Sequence, residues 1–290
     1  MTDIVSPLAR PRPAAGPKDP AQAPVLDLRA PVLALRWPAW ATPWLVPLGL
    51  LALWQVLSVK GLIPDNVLPA PSEVLAAGWR LTVTGELPAN IAVSARRAFA
   101  GLAVGGSLAF ALGLANGLSR TSERLTDTTV QMLRNIPNLA LIPLVILWFG
   151  IEEDAKLFLT SLGVFFPVYI NTFHGVRTVD PQLVEMGRSY GMGRWELFRR
   201  VILPGALPSI FVGLRYGLGI MWLTLIVAET IAANSGLGYM AMNAREFMLV
   251  DVVVLAILIY ALLGKLADSA VRVLERMTLA WHPAFRRSKP

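Results

Sequence analysis

The sequence predicts an all-α integral membrane protein that crosses the bilayer six times. Three observations carry that prediction. Hydrophobic residues make up 55% of the chain and charged residues 16%, against about 25% charged in soluble domains. Apolar stretches of bilayer length, about 20 residues, recur between Trp37 and Val273. A single long, polar and basic interruption, residues 185–204 (EMGRSYGMGRWELFRRVILP), separates the fourth stretch from the fifth.

Residues 1–38 are rich in Pro and Ala with scattered Arg. They cannot bury enough apolar surface to order themselves, and they lack the early apolar core of a secretory signal. A disordered cytoplasmic tail is expected. The first span, residues 39–59, falls in the uncharged stretch between Arg36 and Lys60, with Trp37, Trp40, Trp44 and Trp54 as interfacial anchors. Pro71-Ser72-Glu73 then reads as a helix start, predicting a short amphipathic helix over 73–83 outside the membrane.

The second span, 91–118, carries Gly101 and Gly105, then Gly113 and Gly117. That spacing lets helix backbones approach closely, so packing rather than substrate contact is their expected role. Pro137 and Pro143 should kink the third span, 128–149. The fourth covers 157–174. The fifth, 206–228, is interrupted by Arg215, and the sixth, 250–273, by Lys265 and Asp268. Lys265 and Asp268, three apart on one helix face, are expected to neutralise each other. Residues 282–290 form a basic cytoplasmic tail.

Six spans place both termini on one side, and Lys and Arg loops stay cytoplasmic. With the termini inside, the inner segments hold Arg120, Arg124, Arg177, Arg188, Arg194, Arg199 and Arg200, whereas the outer ones hold Lys60, Arg80, Lys156 and Arg245. Arg96 and Arg97, near the outer end of the second span, run against the rule. The bias puts the loop 175–204 in the cytoplasm.

That loop contains two short helical patterns, 183–190 and 194–202, broken at Gly191-Met192-Gly193. Glycine permits a sharp turn at positive φ, and Pro204 suits the first turn of a following helix. An ordinary connection would be much shorter, so a helical hairpin that receives a soluble partner is expected.

The residue inventory excludes several chemistries. There is no cysteine, hence no thiol or Cys-based metal chemistry, and His174 and His282 lie far apart. No phosphate-gripping GxxxxGK[ST] loop, HExxH or GxSxG occurs. No soluble basic domain offers itself to nucleic acid. A membrane enzyme would need several polar groups converging at one depth, and they are scattered. Candidate pathway residues remain. Arg134, Asn135 and Asn138 suit pore lining or helix–helix hydrogen bonding. Arg215 suits either substrate contact or an internal pair. Thr224 lies in the fifth span, and Glu229 precedes a turn-rich Asn234-Ser235-Gly236 segment that suits a gate, because irregular backbone at membrane depth must line a cavity or be buried in protein.

Glu185, Gly191 and, nine residues on, Val201-x-Leu203-Pro204 resemble the EAA loop of ABC-importer permeases, with Met186 and Gly187 in place of two alanines and Val201 in place of isoleucine. Residues 131–151, 166–175 and 221–251 extend the resemblance, over roughly 40–285, to the permeases that import aliphatic sulfonates and, in related systems, taurine, nitrate and similar anions. The resemblance implies the type I importer permease fold and a homodimer in the bacterial inner membrane. It also implies two cytoplasmic ATPase subunits and a periplasmic sulfonate-binding protein. Glu185, Gly187, Arg188, Gly191, Arg199, Val201, Leu203 and Pro204 would dock the ATPase. The chain itself would be non-catalytic and without cofactor, since ATP would bind its partner. A bulky or charged residue at Gly191 would leave the protein inserted but uncoupled. A different class, a secondary carrier, would not need the loop and would be expected to show internal repeats.

Overall fold

The computed structural model describes residues 42–281. The two expected tails, residues 39–41 of the first span, and Trp37 and Trp40 lie outside the described residues. Among the described residues the chain forms α1 (Thr42–Val59), α2 (Pro71–Val83), α3 (Glu86–Leu118), α4 (Arg120–Leu133), α5 (Ile142–Phe149), α6 (Glu153–Arg177), α7 (Pro181–Ser189), α8 (Arg194–Leu197), α9 (Leu203–Ala232), α10 (Leu237–Glu246) and α11 (Val250–Thr278). Four helical stretches are long and apolar enough to cross a membrane: α3, α6, the run Arg194–Ile231 and α11. The bent pair Arg120–Leu133 with Asn138–Phe149 makes a fifth, and α1 is a shorter apolar helix. This is compatible with six crossings.

Contacts fix how the crossings alternate. Gly101 faces Thr160 and Gly117 faces Val176, so α3 and α6 run parallel. Gly175 meets Ser209 while Gly163 meets Thr224, so α9 returns antiparallel to α6. Tyr260 bonds Glu229 and Asp268 bonds Arg215, so α11 reverses again. Between α3 and α6 the chain travels back through α4 and α5, from the Arg177–Glu123 ion pair to Ile142 and Val145, which pack on Ala155 and Leu159 near the start of α6.

Local chemistry explains the boundaries. Glu73 accepts the Ala70 N–H at 3.2 Å and Pro71 occupies the first turn of α2. Val74, Ala77 and Leu81 then share one buried face, packed with Leu255 of α11. The Ser119 hydroxyl caps α4 by accepting the Ser122 N–H at 3.3 Å. The α3 glycines do face α6. A Cβ on Gly113 would lie 2.8 Å from that of Thr172, and one on Gly105 would collide with the Ser161 carbonyl.

Four details differ from the sequence expectation. The third span is broken rather than kinked: α4 ends at Leu133, a 3-10 turn spans Asn138–Leu141, and the two arms bend by 82°. Pro137 is the cause, because it lacks an N–H and disfavours helical geometry at Ile136; Pro143 sits harmlessly in the first turn of α5. Pro204 sits in the first turn of α9 as expected, but no break precedes it. Helix runs unbroken from Arg194 to Ile231 through a π turn, Phe198–Ile202, in which the Leu203 N–H reaches the Phe198 carbonyl. The widened turn accommodates a proline that has no donor for Arg200. Asp268 pairs not with Lys265 but with Arg215, at 2.9 Å, and Arg272, at 2.7 Å; Lys265 lies on the exposed face of α11. Arg97 is not a free outer charge but is paired with Glu153 and Glu229.

Candidate functional site

Three places gather the residues singled out by sequence. The first is the α7–α8 hairpin. Asp180 caps α7, accepting the Gln182 N–H at 2.9 Å. At the turn the Gly191 N–H returns to the Arg188 carbonyl, and the Met192 N–H to that of Gly187. Gly191 has φ +77°, the left-handed geometry that glycine adopts without strain. Gly187 is buried, and a Cβ there would stand 2.7 Å from Leu197 Cδ1 and 3.7 Å from Val201 Cγ2. Small size at Gly187 therefore lets α7 close onto α8. Leu203 and Pro204 are half-buried within the continuous helix, whereas Glu185, Arg188 and Arg199 are exposed.

Beside those charges the hairpin shows large apolar side chains that the loop motif did not single out. Tyr190 is 78% and Trp195 71% exposed, with Met186 and Leu183 about half so. Exposed aromatics flanked by arginines are the composition of protein-binding surfaces. Their signal was available in sequence: two bulky aromatics bracket a glycine turn in an otherwise polar loop.

The second place is a cavity of about 430 Å³ at the break in the third span. Arg134 and Asn138 line it from the break, Thr224 from α9, and Gly163 and Phe166 from α6. Thr224 is buried, and its hydroxyl donates to the Ile220 carbonyl at 2.8 Å. Asn135 is exposed and closes α4 by donating to the Gln131 carbonyl. Of the eight candidate pathway residues, the structure brings these three to one cavity. Arg215 lies apart, held by Asp268 and by Glu275 at 3.8 Å.

The third place is a buried polar cluster at the opposite end of the bundle from the hairpin. Glu229, 1% exposed, accepts from Arg97 Nη1 at 2.8 Å, Tyr260 Oη at 2.7 Å, the Gly238 N–H at 2.9 Å and Ser94 Oγ. Arg97, 5% exposed, also grips Glu153 with Nε at 2.8 Å, and donates to the carbonyl and hydroxyl of Ser235. Asn90 and Ser94 accept the N–H groups of Gly236 and Leu237. Thus α3, α6, α9, α11 and the turn before α10 are tied at one point. Glu229 and Ser235, expected at a gate, are locked inside this cluster, while Asn234 is exposed on the turn. Ser94, Glu153 and Tyr260 escaped the sequence reading, and Arg97 stands out there only for its charge. The available sign was Arg97 itself, a cation in violation of the charge rule. Two carboxylates neutralise it, whereas Arg96 beside it stays exposed.

Comparison with known proteins agrees with this architecture. Over 243 residues the chain is 59% identical to SsuC of Escherichia coli, a permease protein named for aliphatic sulfonates transport; the match covers 84% of this chain and 92% of that protein. The Bacillus subtilis protein of the same name is 44% identical over 83% of this chain and 87% of its own length. The taurine transport system permease protein TauC of Escherichia coli is 37% identical over 80% and 86%. Residues 104–279, which hold the hairpin, the cavity and most of the polar cluster, match the family described as binding-protein-dependent transport system inner membrane component, and the chain belongs to that family.

Proposed function

We propose that this chain is the membrane-spanning permease subunit of an ATP-driven importer for aliphatic sulfonates. It acts as a homodimer in the bacterial inner membrane, with both termini cytoplasmic. A periplasmic binding protein delivers the sulfonate, and each copy docks one of two cytoplasmic ATPase subunits through its hairpin. The sulfonate cargo follows the relative at 59% identity rather than the taurine relative at 37%. The chain itself is non-catalytic and carries no cofactor; ATP binds the partner subunits.

One observation carries the coupling role. A glycine-built hairpin presenting Tyr190 and Trp195 continues without interruption into the run Arg194–Ile231. Docked in the ATPase, it makes that helix a lever. Closure of the ATPase dimer on ATP moves the paired hairpins and favours one of two arrangements of the spans; hydrolysis removes the bias. Glu185, Arg188 and Arg199 supply exposed charges to the interface, and Gly187, Gly191, Val201, Leu203 and Pro204 set its shape. The basic residues near the hairpin, with Arg97 neutralised at the far end, favour a cytoplasmic hairpin.

The test is ATP hydrolysis by the complete importer in liposomes, with and without a loaded binding protein. Stimulation by alkanesulfonate but not by taurine or nitrate is the expected result. Stimulation by another loaded anion would replace the cargo and keep the permease, and uptake that needs no ATPase would return the chain to the carrier class.

A further inference from the structure

Arg134, exposed at the C-terminal end of α4 where the third span breaks, differs from four arginines whose charge is met. Arg97, Arg177, Arg215 and Arg272 each meet a carboxylate. Among the described residues no acid or hydrogen-bond acceptor pairs with Arg134, and no acid lines the cavity it faces. An unpaired cation inside a membrane span is costly unless it serves a pathway. Its backbone setting points the same way. The 82° break beside Arg134 leaves irregular main chain within a span, which is tolerated where it is buried in protein or lines a cavity. The facing wall comes from residues 163–170, half-way along α6. Asn138 adds an amide to the polar end, whereas Ile136, Leu139, Phe166, Ile220 and Leu223 make the remainder apolar.

We propose that Arg134, assisted by Asn138, receives the sulfonate head during translocation, and that the apolar wall of the same cavity takes the alkyl chain. The permease thereby adds its own selection to that of the binding protein. This rests on the sulfonate-importer reading above. A guanidinium offers a planar fork of donors to the sulfonate oxygens. Each methylene buried against the wall strengthens the contact roughly fourfold. An inorganic anion gains nothing from that wall. Taurine would press its ammonium against apolar side chains with no acid to receive it. Thr224, its hydroxyl already bonded to Ile220, sets the width of the cavity rather than contacting the head.

The test uses the complete importer in liposomes with a loaded binding protein and measures uptake of labelled methane-, butane- and octanesulfonate. Arg134→Gln should lower uptake of all of them by roughly tenfold or more, the loss expected for a charge-assisted contact, and Arg134→Lys should restore part of it. Ile220→Trp, which fills the apolar wall, should lower octanesulfonate uptake several-fold and spare methanesulfonate. Wild-type rates with an unchanged chain-length profile in both Arg134→Gln and Ile220→Trp would overturn the proposal. If Arg134→Gln does not assemble with the ATPase, Ile220→Trp decides alone, and undiminished octanesulfonate uptake overturns it. A wild-type importer that takes up nitrate but none of these sulfonates would overturn the importer reading instead, a result that needs no variant.

Discussion

The charged residues of the spans divide by how they are satisfied, and the division predicts what each substitution does. Glu229 and Arg97 are almost wholly buried and use their hydrogen-bonding capacity on each other and on α6, α10 and α11. Taking one partner from such a pair leaves an uncompensated buried charge, at a cost of about 3–5 kcal/mol. Arg97→Met is therefore expected to lower the thermal unfolding midpoint of the detergent-solubilised protein sharply. Adding Glu229→Gln, which removes the stranded charge, should recover part of the loss; strictly additive effects would show that the two side chains are not coupled. Arg215 and Asp268 form the milder case. Both are about one-third exposed and Arg272 also reaches Asp268 at 2.7 Å, so Arg215→Gln leaves the carboxylate paired and is expected to lower the midpoint less than Arg97→Met does. Neither outcome could be read from the sequence, which shows isolated charges at wide separations. Glu229 is 132 residues from Arg97 and 31 from Tyr260, and only the packed bundle reveals that they meet.

At the scale of elements, the hairpin illustrates how local chemistry is legible and tertiary adjustment is not. A glycine that needs φ +77° and two short helical patterns are local properties, so residues 185–204 disclose the hairpin. The π turn before Pro204 and the break after Leu133 are responses of a helix to a proline in its path. Whether a helix breaks, widens or bends at such a point depends on its neighbours, which is why proline alone foretold a kink in one case and a helix start in the other. The two hairpin glycines should also fail differently. A Cβ on Gly191 meets open space, so its replacement costs only the left-handed backbone, about 1–2 kcal/mol for most residues and less for Asn or Asp. Gly187→Leu instead forces a side chain into Leu197 and separates α7 from α8. With both proteins inserted normally, Gly187→Leu should abolish co-purification of the ATPase, Gly191→Val should weaken it, and Gly191→Asn should retain it. Equal retention by Gly187→Leu would mean that the α7–α8 contact does not shape the docking surface.

For the whole molecule, the α8 arm of the hairpin, the Thr224 wall of the cavity and Glu229 all lie on one helical run, Arg194–Ile231, of 38 residues. At 1.5 Å per residue that run is roughly 57 Å long, enough to carry displacement from one face of a membrane to the other. Its far end is tied by the Glu229 cluster to α3, α6 and α11, so movement at the hairpin acts against an anchored point rather than a free one. On the proposed coupling, the cavity lies between the driven end and the anchored end, where a tilt of the lever would change its width. Such a lever requires its two ends to face opposite sides of the membrane, and the chain allows a clean check because it contains no cysteine. Tyr190 on the hairpin and Asn66 before α2 are both exposed, and they belong to opposite ends of the bundle. In a permease expressed without its ATPase, Asn66→Cys should react with a membrane-impermeant maleimide from the periplasmic side, and Tyr190→Cys only in inverted vesicles. Labelling of both from one side would break the lever, since α9 would then not cross. Labelling with the sides exchanged would put the hairpin where no cytoplasmic ATPase can reach it.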